Sequence, residues 1–206
     1  MPELPKADYG QDQADCIASY ERDIERRFAN KRGRLVHSLG VGRCAEGLAC
    51  IYGVDPYLSR VAGILHDWDK VYKGEAMITR ARALDIDMGV ELELVEPLLH
   101  GLTAAHELAS IYPELDPKVL RAIERHTIAA KDMSSLDMVV FVADGIEPNR
   151  PDLPDIERLR SLVGRSSLDD LFWESFASGI AYVINGGRYL YPGTVDIYNE
   201  LALAMR

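Results

Sequence analysis

Imidazoles and carboxylates that face one interior can hold a transition metal, and this sequence aims four histidines and two aspartates that way. His37 falls on an apolar stripe at helical spacing with Val41, Cys44, Leu48 and Ile51. His66 and Asp67 close an apolar helix in ILHDWDK. His100 opens a helix after two leucines in LLHG, and His126 follows Ile123 by three residues on an inward face. Asp144 lies four residues after Val140, which points a carboxylate along an apolar face. A lone histidine on such a face is more often a satisfied core residue than a ligand, so each position alone is a weak signal. A buried carboxylate is harder to dismiss, because desolvating it unpaired costs many kcal/mol. Together these donors suit iron, manganese, zinc or nickel rather than calcium. Cys16, Cys44 and Cys50 lack metal-type spacing, which argues against a structural zinc site.

Helices must bring these residues together, and helical periodicity runs throughout the chain. A charged first helix is expected over about Asp12 to Lys31. It runs into a basic cluster of Arg22, Arg26, Arg27, Lys31, Arg32 and Arg34, a solvated face for most of its members. Leu35 to Tyr52 is a second helix, stopped by Gly53. Asp55-Pro56 reads as a cap with proline at the first helical position, and that helix runs to about His66. Leu98 to Ile111, Pro117 to His126, Leu136 to Ile146, Leu168 to Ile184 and Thr194 to Met205 read as further helices. Glu147-Pro148-Asn149-Arg150-Pro151 is a loop, since two prolines close together cannot continue a helix. Val139 to Val142 can pass for a short strand, but one such run makes no sheet. The expected fold class is all-α.

With 206 residues, 48% hydrophobic and 27% charged, the chain has the balance of a soluble globular domain with a real core. No apolar run approaches the roughly 18 residues of a membrane helix. The start, MPELPKADYGQDQAD, is polar and acidic, unlike a secretory signal. With the cysteines read as reduced thiols, the expected location is cytoplasmic. A formal charge of -10 argues against nucleic-acid binding. It leaves room for a phosphorylated small molecule received by metals or local arginine and lysine.

The order His37, His66-Asp67, His100, His126, Asp144 resembles the HD superfamily of metal-dependent phosphohydrolases. Within it, the chain is similar to the YqeK branch, the HD-type symmetrical bis(5'-nucleosyl)-tetraphosphatases of bacteria. RLVHSLGV resembles that family's Arg-x-x-His-(Thr/Ser)-Leu-Gly-Val opening, and ILHDWDK its Leu-His-Asp-x-x-Lys. LLHG, RHT and VADGIEPNR resemble three later segments, and LYPGTVDIYNEL resembles the family's tail. The His-Asp pair alone is weak. Glu147-Pro148-Asn149-Arg150 after Asp144, with the other ligands in order, is strong.

The resemblance implies an HD-domain helical bundle over residues 31–206 with a metal site in its core, preceded by a helical extension over 1–30. It implies two divalent metals, iron first, with manganese or another transition metal as alternatives. His37, His66, Asp67 and Asp144 would hold one; Asp67, His100 and His126 would hold the other, with Asp67 bridging. The implied reaction cleaves diadenosine tetraphosphate into two ADP by attack of a metal-activated water at a central phosphorus. Asp67 and Lys70 would be catalytic, and Arg34, Lys70, Thr127 and Arg150 would meet substrate. The alternatives are hydrolysis of other nucleotides at the same metals and, from another class, a diiron oxygenase. A homodimer is compatible with a domain of this size.

Three positions depart from the pattern or stand outside it. His106 follows His100 by six residues, about 600° of helical rotation, so it faces roughly 120° away and reads as a core or supporting residue. Asp69 stands where the family has a small or apolar residue and is expected to face solvent rather than to bind a metal-bound water. Arg125 replaces a tyrosine.

Overall fold

The computed structural model describes residues 3–204. Met1, Pro2, Met205 and Arg206 lie outside them, and with Met205 the expected end of the last helix. Ten α-helices and two short 3-10 turns make up the regular structure of the described residues, which include no strand. The segment Val139 to Val142 lies inside a helix.

Local chemistry explains where several helices start. Helix α1 is Gln11–Arg27 and α2 is Arg32–Tyr52, the latter ended by Gly53 at φ 69°, a conformation that glycine adopts without strain. Helix α3, Pro56–Leu65, begins with proline behind Asp55, whose carboxylate accepts from the Leu58 amide. Helices α4 (Glu75–Ala83) and α5 (Leu99–Ile111) are followed by α6 (Pro117–Arg125), capped by Asp116 in the same manner as α3. Ser134 and Asp137 form a reciprocal capping box at the start of α7 (Ser135–Ile146). Helix α8 is Pro154–Leu162, α9 is Leu168–Asn185 with Ser167 as its cap, and α10 is Pro192–Ala204.

Sequence periodicity gives no expectation of α4 or α8. Both are nine-residue helices with few buried positions, so their apolar pattern is too short to stand out.

Two packed cores hold the ligand-bearing helices. Ile17, Tyr20, Ile24 and Phe28 of the α1 segment join Ile64 and Leu65 of α3 and Ile123 of α6 in one cluster. Val41 and Leu48 of α2 join Val139 and Ile146 of α7 and Leu171 of α9 in the other. Each fully buried leucine or isoleucine contributes about 1.5–3 kcal/mol. Helices α2 and α3 cross closely: a Cβ on Gly63 would fall 2.8 Å from Gly42 Cα, so only glycine fits there. Arg60 of α3 pins this crossing to α1, donating to Glu21 at 2.7 Å and to buried Glu46 of α2 at 2.6 Å.

Candidate metal centre

Three helix ends place three of the histidines. The last carbonyls of a helix have no partner within it. His66 is the first residue past α3, and its Nδ1 lies 2.7 Å from the Gly63 carbonyl. His126 stands in the same position after α6, with Nδ1 2.6 Å from the Ile123 carbonyl. His100, at the start of α5, has Nδ1 2.9 Å from the carbonyl of Pro97 in the preceding turn. A carbonyl only accepts, so each Nδ1 carries the proton. Each Nε2 is therefore a lone pair, that of His66 without a partner and that of His100 3.3 Å from Lys70 Nζ.

The fourth ring is fixed by a side chain. His37 projects from α2 with Nδ1 3.1 Å from Oε1 of buried Glu147, whose Oε2 accepts from the Asn149 backbone at 2.7 Å and side chain at 2.8 Å. Gly40, one turn beyond His37, makes room for this loop. A Cβ there would lie 2.3 Å from Glu147 Oε2.

The rings of His37, His66, His126 and His100 follow one another edge to face, with centroids 5.3, 4.9 and 4.9 Å apart. The two aspartates lie along this row. His37 Nε2 is 3.0 Å from Asp144 Oδ1 and 3.7 Å from Asp67 Oδ2. His66 Nε2 is 3.6 Å from Asp67 Oδ1 and 3.8 Å from Asp144 Oδ1. His100 Nε2 is 3.2 Å from Asp67 Oδ1 and 3.1 Å from His126 Nε2. Asp67 is buried, whereas the Asp144 side chain is 26% exposed to the cleft.

Among the described residues, no hydrogen-bond donor or acceptor satisfies two of these buried ring nitrogens. Nε2 of both His37 and His66 is buried without a hydrogen-bond partner. Two bare imidazole nitrogens 3.1 Å apart repel unless something electron-poor lies between them. The donors can therefore hold a cation in three sets: His37, His66 and Asp67; His66, His126 and Asp144; Asp67, His100 and His126. All six residues singled out in the sequence meet here, with Asp67 in two of the sets.

Electrostatics agree with this reading at His66, His126 and the two carboxylates. Burial, reinforced by His66 and His100, lowers the His126 pKa to about 3. Burial lowers that of His66 against the pull of Asp67 and Asp144. Both rings therefore stay neutral and available as ligands at neutral pH. Burial opposes ionisation of Asp67 and Asp144, but the surrounding histidines hold both carboxyls well below the usual range, with Arg150 assisting at Asp144.

Cations rim the cleft. Arg34 reaches Asp67 Oδ2 at 2.7 Å, and Arg150 reaches Asp144 Oδ1 at 2.7 Å. Their side chains remain 39% and 37% exposed, so part of each guanidinium still faces the opening. Lys70 Nζ lies 2.9 Å from His100 Nδ1. Burial lowers the Lys70 pKa, opposed by Asp67.

Three positions differ from expectation. Thr127, expected to donate to substrate, gives its hydrogen to the Leu98 carbonyl at 2.8 Å. His106, expected in the core or supporting the site, is exposed. Asp69, expected to face solvent, is fully buried, held by Arg27 at 2.8 Å and Arg80 at 2.6 Å. Arg27 also donates to the Trp68 carbonyl at 2.5 Å, and Arg27 and Arg80 share Glu107. This ion network pins the turn carrying His66, Asp67 and Lys70 to α1, α4 and α5. Sequence reasoning also left Glu147 without a role as the partner of His37. Its place three residues after Asp144, next to a proline-bounded loop, was the available signal.

Comparison with known proteins places these features in a family. Residues 34–149 match the HD domain family. A Halalkalibacterium halodurans protein named symmetrical bis(5'-nucleosyl)-tetraphosphatase is 31% identical over 84% of this chain and 91% of its own length. A Bacillus subtilis protein of the same name is 30% identical over 82% of this chain and 89% of its own. The crystal structure of a Clostridium acetobutylicum HD superfamily hydrolase, described as involved in NAD metabolism, superposes with a TM-score of 0.79 at 32% identity, covering 93% of this chain and 97% of that one. The all-α bundle, the ordered histidines and aspartates, and these similarities make this chain a member of the HD domain family.

Proposed function

We propose that this protein is a metal-dependent hydrolase that cleaves diadenosine tetraphosphate symmetrically into two ADP. The observation that carries this reading is the row of four Nε2 atoms and two carboxylates in a cleft rimmed by Arg34, Lys70 and Arg150. The named activity of relatives spanning most of the chain supports it.

In this reading His37, His66, Asp67 and Asp144 hold one divalent metal, and Asp67, His100 and His126 hold a second, with Asp67 shared. Imidazole with carboxylate suits a transition metal, and the resemblance to the HD phosphohydrolases makes iron the first choice, with manganese or another transition metal next. When bound, the metals acidify a water and neutralise charge on the phosphoryl group. The remaining steps belong to side chains of this chain. Glu147 and the three helix-end carbonyls keep every imidazole in the ligating tautomer. Arg34 and Arg150 turn their exposed faces to the phosphate chain, where a guanidinium can bind two oxygens at once. The water oxygen joins one central phosphorus, and the bond from that phosphorus to the central bridging oxygen breaks. That oxygen leaves with the second ADP, and Lys70 donates a hydrogen bond to the charge it develops. The water's hydrogens are released as protons as the new phosphate ends ionise.

A nucleoside has a place beside the ligands. A mostly apolar cavity of about 250 Å³ is lined by Thr127, the residue after His126, with Phe141, Phe176, Tyr189 and Tyr191. Aromatic faces of this kind stack on a base.

No helix of the described residues is long and apolar enough to cross a membrane. Three free thiols, one of them exposed at Cys16, fit a reducing compartment, and we place the protein in the cytoplasm.

The test is an anaerobic assay with iron and diadenosine tetraphosphate, the products being separated by ion exchange. ADP as sole product, lost on chelation, is expected. ATP with AMP would overturn the symmetrical cut. Turnover indifferent to chelation would overturn the metal.

A further inference from the structure

Two cavities of opposite character lie beside the site. One is the apolar cavity of Thr127, Phe141, Phe176, Tyr189 and Tyr191. Past His37 lies an open groove of about 910 Å³, lined by Lys31, Arg32, Arg34, Lys70, Lys73 and Arg150 with Glu147 as its one acidic residue. A smaller cavity carries Arg34, Lys70 and Lys73 on to His100 and Pro97, and Pro97 also lines the apolar cavity. The basic groove and the apolar cavity therefore lie on either side of this smaller cavity, which His100 lines.

The groove concentrates positive charge on a chain whose net charge is -10. Some of these cations are engaged: Lys31 with the Lys70 and Val71 carbonyls, Arg34 with Asp67, and Arg150 with Asp144. Arg32 and Lys73 are different. Both are exposed, and among the described residues neither pairs with a carboxylate. Unpaired cations flanking a phosphohydrolase cleft are free to meet phosphate.

We propose that the basic groove is a polyphosphate subsite in which Arg32 and Lys73 hold the half of the substrate that does not occupy the apolar cavity. This rests on the tetraphosphatase reading and adds to it that the two halves of a symmetrical substrate are held by unlike means. One nucleotide is gripped by its base. The other is gripped by its phosphates and is indifferent to the base it carries. Cleavage at the central bridge then frees one ADP from each subsite. Lone ADP takes the apolar cavity with its base and does not depend on Arg32 and Lys73.

The experiment compares the metal-loaded wild type with Arg32→Ala/Lys73→Ala and with Lys73→Arg. KM and kcat are measured for diadenosine tetraphosphate, and Ki is measured for ADP as inhibitor. Losing two charged contacts should raise KM by about tenfold or more. The kcat should hold within about twofold, as when ground state and transition state lose the same binding. The Ki for ADP should stay within about twofold, and Lys73→Arg should keep most of the affinity. Turnover with an unmoved KM would overturn the groove assignment alone. So would a KM rise matched by an equal rise in Ki, because the loss would then fall on both subsites. A wild type with no turnover would overturn the hydrolase reading and this inference with it.

Discussion

The carboxylate of Glu147 lies 3.1 Å from Nδ1 of His37, and it fixes the only one of the four site histidines that no backbone carbonyl orients. Removing the partner of a ligating histidine weakens metal binding by about 10- to 100-fold. Glu147→Ala should show a loss of that size in a metal titration, with helical content unchanged by circular dichroism. Glu147→Gln keeps an acceptor oxygen and should lose less. Gly40→Ala should resemble Glu147→Ala, because its Cβ drives into the same carboxylate. Undiminished metal affinity in Glu147→Ala would refute the orienting role.

The buried Asp69 clamp should matter for stability. Breaking a buried ion pair from one side costs about 3–5 kcal/mol, since the partner charges are stranded. Asp69→Ala strands Arg27 and Arg80, which are 17% and 24% exposed, so the lower end of that range applies. Urea unfolding should show a lower midpoint with an unchanged slope. A loss below about 1 kcal/mol would mean that the clamp is not stabilising.

The site was legible because its donors sit on, or just beyond, amphipathic helices. His37 shares a stripe with Val41 and Leu48, and His66 and His126 follow the last turns of short amphipathic helices. Asp69 was not legible. Its partners lie 42 and 11 residues away, and a long-range ion pair leaves no local period. The tautomers were equally hidden, because they depend on which helix-end carbonyls each ring meets. His106 shows the limit of periodicity. Rotation correctly turned it from His100, but only packing tells whether that face meets another helix or water.

The metal-free protein should have a stability maximum near pH 6.5. His126 has its pKa lowered to about 3 by burial, and His66 is lowered by burial too. The unfolded chain binds protons at these rings near the ordinary value of about 6.5, so acidification below it destabilises the fold. His37 acts in the opposite sense. Burial would lower it, but the Asp144 and Glu147 carboxylates beside its ring raise it to about 9. That stabilisation is complete below about pH 6.5 and is lost as pH rises through about 9. Melting temperature of chelated protein, followed between about pH 5 and 9, should fall on both sides. A midpoint that climbs steadily towards the alkaline end would contradict the His37 assignment.

Asp67 is the residue on which the two proposed metal sites depend. The most direct measurement is the metal content per chain of purified Asp67→Ala beside wild type and His106→Ala, with ADP formation assayed on the same samples. The expected result is two metals and full activity in wild type and His106→Ala. Asp67→Ala should hold no metal and form almost no ADP, while its helical content is retained. An Asp67→Ala protein that keeps its metal and still forms ADP would contradict the shared-carboxylate centre.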